Sequence, residues 1–162
     1  MVWLVSLGGC ARSGSMPREA MPPTGRLTGG AFAPASMRIY PLTHIERTGE
    51  GEARLVLHLE LRDAWGDTVK GIGLLQVQLL RGGDLGGGGR DERMWEVDMR
   101  DPEINAQYYD PATRTYRVQL RDLPAWVEAQ SAGAGVRVLA VLRTPAPDGS
   151  ERFLRDEAVI RD

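Results

Sequence analysis

Few side chains in this sequence are able to do chemistry, and their spacing narrows what each could do. Histidine occurs twice, at His44 and His58. In an extended chain His58 and Glu60 project from the same face, where a carboxylate could tune the imidazole or join it on a metal. The charged company of that face makes a solvated sheet surface the expected role. His44 follows Tyr40-Pro41, a pair that marks an edge or initial strand, and no partner stands near it in sequence. Asp63, Asp67, Asp98, Asp101 and Asp110 fall at predicted strand ends, where oxygens from neighbouring loops could hold calcium. The spaced Asp-x-Asp of such loops is absent, and aspartate is common in any turn. The glycine-rich run Arg81–Arg90 could line an anion with backbone N–H groups. It lacks the Lys-Ser/Thr sequel and following helix that make a phosphate cradle, so a flexible hairpin loop is expected. No Gly-x-Ser-x-Gly nucleophile turn occurs, and one cysteine supports neither a disulfide nor redox chemistry. With two histidines it is also too little for a four-ligand zinc site. Catalytic residues, a metal centre and a cofactor are therefore not expected. Trp65, Tyr108, Tyr109 and Trp126 lie in or beside predicted loops, where a ring can stack on a sugar while polar neighbours satisfy its hydroxyls. The competing role is to close the ends of a core with one polar tip wet.

The cysteine is more informative by position. Met1–Gly9 is apolar and uncharged and ends at Cys10. The stretch is far below the ~20 apolar residues that span a bilayer but close to the apolar region of an export signal. Leu7-Gly8-Gly9-Cys10 resembles the lipobox of bacterial lipoproteins, in which small residues admit a peptidase and the cysteine thiol takes a thioether-linked lipid. Export signals usually open with a basic residue, and the first here is Arg12, which points to a start upstream of Met1. The resemblance implies lipidation at Cys10 and anchorage to a membrane, with each buried methylene contributing about 0.8 kcal/mol. From Ala11 to Ser36 the chain is rich in Pro, Gly, Ser and Ala, with no apolar period. Such a segment cannot bury enough surface to order itself and would span ~25–30 Å as a tether.

Beyond Met37 the pattern alternates. Leu55, Leu57, Leu59 and Leu61 fall on one face of an extended segment, with Val56, His58, Glu60 and Arg62 on the other. The same period recurs at Leu75/Val77/Leu79, Trp95/Val97/Met99 and Tyr116/Val118/Leu120. Met37–Arg47, Val136–Arg143 and Phe153–Arg161 complete about seven strands, the last two joined by a Pro- and Asp-Gly-bearing turn. One short helix is expected in Leu123–Gln130, with Pro124 in its first turn. The predicted fold is all-β, a single antiparallel sandwich. The turn-and-strand modules Asp63–Gly73 and Tyr109–Tyr116 resemble those of C2-like, prealbumin-like (transthyretin-like) or immunoglobulin-like sandwiches of extracytoplasmic bacterial proteins. That resemblance implies architecture and not activity.

Charge closes the list of classes. Twenty basic against 22 acidic side chains give a net charge of −2, which removes the positive excess a nucleic-acid binder needs. The sequence thus divides into a signal and lipobox segment (1–10), a tether (11–36) and a β-sandwich domain (37–162). The expected function is non-enzymatic: a lipid-anchored cell-envelope protein, facing periplasm or exterior, that meets an envelope protein or polysaccharide. A carbohydrate-binding module using the loop aromatics is the alternative. A calcium-dependent binding or hydrolytic protein is the third.

Overall fold

The computed structural model describes Gly30 and residues 32–47, 52–81, 93–128 and 135–161. Cys10, the lipobox, the tether as far as residue 29 and the glycine-rich stretch after Arg81 lie outside the described residues. The strands are β1 (Ser36–Ile39), β2 (His44–Arg47), β3 (Ala53–Arg62), β4 (Leu74–Arg81), β5 (Arg93–Asp98), β6 (Tyr109–Asp110), β7 (Thr115–Leu120), β8 (Val136–Pro145) and β9 (Glu151–Ile160). Two helices interrupt them, α1 (Pro102–Tyr108) and α2 (Ala125–Glu128). One sheet runs β1-β3-β7-β6 with β2 also on β3, and the other runs β5-β4-β8-β9. Every pairing is antiparallel.

The alternation determines the layering. Leu55, Leu57, Leu59 and Leu61 are buried against Leu75, Val77 and Leu79 of the other sheet, with Val138, Ala140 and Leu142 from β8 in the same core. Side chains of opposite phase on β4 and β7, such as Gln76, Arg117 and Gln119, stay partly or fully in water. Fully burying one such leucine is worth about 1.5–3 kcal/mol, so the period itself specifies which face is dry.

Three expectations change. The single strand predicted over Met37–Arg47 divides in two. Ile39 lies opposite Leu59 and His44 opposite Val56, so Tyr40–Thr43 must fit across from only Leu57 and His58. Pro41 has no N–H to give a ladder, and the excess residues leave as a turn closed by Thr43 N–H to the Tyr40 carbonyl at 2.9 Å. The Thr43 hydroxyl then replaces the missing backbone partner, accepting from His58 N at 3.0 Å and donating to His58 O at 3.3 Å.

Second, a helix precedes β6 that alternation did not reveal. Asp101 caps it, its carboxylate accepting from Glu103 N at 2.7 Å and Ile104 N at 3.2 Å, with Pro102 opening the first turn. Of the predicted helix in Leu123–Gln130, one turn is observed.

Third, the polar face of β3 is not solvated. Val56 is 0% exposed, His58 6% and Glu60 7%. Strand β3 is central, with β1 and β2 on one side and β7 on the other, and its register opposes Glu60 to Arg38, His58 to Arg117 and Val56 to Gln119. A strand flanked on both sides can have its outward side chains shielded by long neighbours such as Arg38, which pairs with Glu60 at 2.9 Å.

Edge strand β9 carries two charges in its inward phase. Asp156 accepts the Ile39 amide at 2.7 Å, and Arg152 donates to the Pro34 carbonyl at 3.2 Å. These bonds join β9 to the β1 edge of the opposite sheet, and an inward charge on an edge also opposes strand addition.

Candidate functional site

Register decides which of the four predicted contact aromatics can meet. Leu59 of β3 lies opposite Tyr116 and Leu55 opposite Leu120, so the Arg62 end of β3 and the Thr115 end of β7 share one end of the sandwich. Trp65 follows Arg62, and Tyr108 and Tyr109 lead through β6 to Thr115, which places these three at that end. Trp126 follows Leu120 and lies at the other, roughly 17 Å away along the strand.

The three are not equivalent. Trp65 is 65% exposed, and its ring centroid is 5.6 Å from that of Phe32. Phe32, with Pro34, Gly71 and Pro145, walls an apolar hollow of about 300 Å³. Tyr109 is half-buried, its ring edge-on to Tyr116 at 5.4 Å and capped by the Lys70 ammonium at 4.2 Å. One face of that ring is therefore closed to any ligand. Tyr108 and Trp126 are partly buried and packed against the core.

Tyr108 and Tyr109 open instead onto an open cleft of about 590 Å³, shared with Gln107, Asp110, Arg117 and Gln119. Neither glutamine nor Arg117 was predicted as a contact residue. Gln107 sits on the unpredicted helix, and Arg117 and Gln119 occupy the outward phase of β7, where a strand pattern reads as mere solvent face. Arg117 and Gln119 are exposed. Gln119 Oε1 accepts from Arg54 at 3.2 Å, which orients its amide and leaves the N–H₂ available. Asp110 is held below the usual carboxylate range by the Ala112 amide first and then by the Thr113 hydroxyl.

A hydrogen-bonded chain runs inward from this cleft. Thr113 Oγ1 donates to Asp110 Oδ2 at 3.0 Å, Thr113 and Thr115 hydroxyls meet at 2.8 Å, and Thr115 Oγ1 lies 2.9 Å from His58 Nδ1. Each hydroxyl has one proton. An ionised Asp110 takes that of Thr113, so Thr115 must donate to Thr113, and Nδ1 of His58 must donate to Thr115. The network therefore assigns neutral His58 the Nδ1–H tautomer, with a lone pair on Nε2.

Burial lowers the His58 pKa, the positive charge of Arg117 lowers it further, and Asp110 opposes them. Its ordinary value is about 6.5, so on acidification the unfolded chain takes up a proton that the folded chain resists. Stability should thus fall as pH drops from about 6.5 toward the lower folded value and be flat in this group above it. Urea midpoints at pH 5.5 and 7.5 should differ for the parent protein and converge for His58→Asn. Equal midpoints in the parent would refute the assignment.

Glu60, the predicted companion of His58, turns to arginines instead. Its carboxylate meets Arg38 at 2.9 Å and Arg62 at 3.0 Å, and its pKa is lowered first by the Arg62 hydrogen bond. Four of the five calcium candidates use their carboxylates locally. Asp63 accepts the amides of Trp65 and Asp67, Asp101 caps α1, and Asp110 closes its own turn. Asp98 is pulled down to about 2 by the Arg100 guanidinium and amide. Among the described residues no three carboxylates, imidazoles or thiols converge as a metal would require. Among the described residues His44 bonds locally, its Nδ1–H donating to the Leu42 carbonyl at 2.8 Å.

The fold and cleft define an all-β sandwich with a polar recess on the outer face of one sheet. Comparison with protein-family models, curated proteins and solved structures returns no match to this chain.

Proposed function

We propose that the chain is a non-enzymatic binding module of a bacterial cell envelope, held at a membrane by lipid on Cys10 and facing the periplasm or exterior. Its contact surface is the cleft between α1, β6 and β7. The observation that carries the reading is Arg117, an exposed guanidinium on a rigid strand that makes no hydrogen bond or ion pair among the described residues. Beside it stand two glutamines and an ionised aspartate with acceptor capacity to spare, a set suited to specific polar contacts. The anchor rests on Leu7-Gly8-Gly9-Cys10 and the tether on Ala11–Ser36. A polysaccharide of the envelope is favoured over a protein partner, because the lining of the cleft is largely polar and includes Tyr108. The calcium-dependent reading draws no support from the described aspartates, four of which are engaged locally and no three of which converge with other ligands.

Full-length protein expressed in a bacterium with an export signal tests both halves. The parent chain should fractionate with membranes and incorporate a clickable fatty-acid label, and Cys10→Ser should do neither. Retention of Cys10→Ser in the membrane fraction would defeat the anchor. Tyr108→Ala/Gln119→Ala should stay in the membrane yet lose co-sedimentation with delipidated envelope polymer after detergent release. Undiminished co-sedimentation would remove the cleft as the contact surface.

A further inference from the structure

Among the described residues, Arg38, Arg54 and Arg62 on the outer face of the β1-β3-β7 sheet each hold a carboxylate in a direct ion pair, whereas Arg117 forms none, although Glu46 feels its charge and Asp110 shares its cleft. Arg38 and Arg62 share Glu60 at 2.9 and 3.0 Å, and Arg54 holds Glu46 at 2.9 Å. Arg117 stands directly opposite His58 in the ladder and has no such acceptor among the described residues. A guanidinium fork matches a carboxylate in geometry as well as charge, so the missing partner is the kind of group a ligand could bring. The rest of the recess fits hydroxyls. Gln107 and Gln119 offer amides, and Asp110 retains lone pairs beyond those used by Ala112 and Thr113.

We propose that the cleft binds a carboxylated saccharide, with Arg117 gripping the carboxylate and His58 taking up a proton as the ligand binds. The proposal rests on the cleft reading above and deepens it by naming the ligand class. Its proton linkage follows from position. The charges facing His58 are Arg117 from β7, Asp110 from β6 and His44 from β2, with Glu60 beside it on β3 and already paired to Arg38 of β1. Burial is the first cause that lowers the His58 pKa and the Arg117 charge the second, and a carboxylate on Arg117 offsets that second cause. The Nδ1–H bond to Thr115 survives protonation, since the new proton goes to Nε2, and the threonine chain needs no rearrangement. Reciprocity then requires that the ligand bind more tightly when His58 is protonated.

Full-length protein in detergent would be titrated with trigalacturonate, its methyl-esterified neutral counterpart and acetate, reading cleft and histidine resonances by NMR and heat by calorimetry. Trigalacturonate should bind roughly tenfold or more tightly than the neutral trimer, the scale of a charged hydrogen-bond pair. Acetate should bind far more weakly than either trimer. Affinity for trigalacturonate should rise between pH 7.5 and 5.5, with proton uptake revealed by buffers of different ionisation enthalpy. Arg117→Gln, an exposed substitution, should erase the preference for the charged trimer. His58→Asn keeps a donor toward Thr115 and should bind but lose the pH dependence. Equal affinity for charged and neutral trimers, or an indifferent Arg117→Gln, would overturn the proposal while leaving a saccharide cleft intact. Acetate as effective as the trimer would overturn it in favour of a simple anion site. If no trimer shifts the cleft resonances, the proposal fails, and the co-sedimentation of Tyr108→Ala/Gln119→Ala then decides whether the cleft reading fails with it.

Discussion

Asn105→Ala should lower stability by about 3 kcal/mol, the largest loss expected from any single polar side chain in the described fold. Asn105 is buried on α1, and its amide donates to the Gly71 carbonyl at 2.8 Å and the Met99 carbonyl at 3.0 Å. Its Oδ1 faces the hydroxyl of Tyr116 at 3.0 Å, which also accepts the Gly71 amide at 2.9 Å. One side chain thereby ties the connection before β4, the end of β5, and β7. Truncation strands polar groups in a dry place, at ~1–3 kcal/mol each when nothing replaces the partner. Tyr116→Phe should cost less, about 2 kcal/mol, because only the hydroxyl leaves and the ring still fills its site. The double variant should lose less than the sum, since both changes break the same network. Urea denaturation followed by tryptophan fluorescence reads all three. Strict additivity would mean that the two side chains do not share a network. The Asn105 variant also bears on function, because α1 carries Gln107 and Tyr108 into the cleft.

Gly73→Val should destabilise by about 3 kcal/mol for a different reason, overpacking. A Cβ at Gly73 would collide with the Arg143 carbonyl and come within 2.8 Å of Leu142 Cδ1. The backbone oxygen belongs to β8 and cannot rotate away, so β4 and β8 would have to separate. Gly73 also accepts the Met99 amide at 2.8 Å, so the separation would disturb β5. Gly30→Ala is the matched control, because a Cβ there meets nothing within 4 Å. It should leave the midpoint unchanged, whereas a Gly73→Val protein as stable as the parent would show that the strands tolerate that approach.

Both predictions depend on contacts between residues distant in sequence, and the same division runs through the fold and the cleft. Alternation at Leu55–Leu61, Leu75–Leu79 and Tyr116–Leu120 was legible because a strand has only two faces, and a dry face must be apolar wherever it occurs. The cap of α1 was legible in principle, in Asp101-Pro102-Glu103, but a seven-residue helix gives too few turns for an apolar period to emerge. The break at Pro41 carried a local signal too, although its position depends on how many residues β3 can accommodate opposite it.

The sequence by itself determined the inward faces of the strands, the all-β class, the lone Cys10 behind small residues and the near-neutral charge, because each is a property of local order or composition. Tertiary structure alone decided that Trp126 stands apart from Tyr108 and Tyr109, that Arg117 and Gln119 join them, and that His58 is buried and wired to Asp110. Those are matters of register between strands tens of residues apart. A period-two pattern specifies which side of a strand is dry, but which neighbours it meets there follows from how the ladders align.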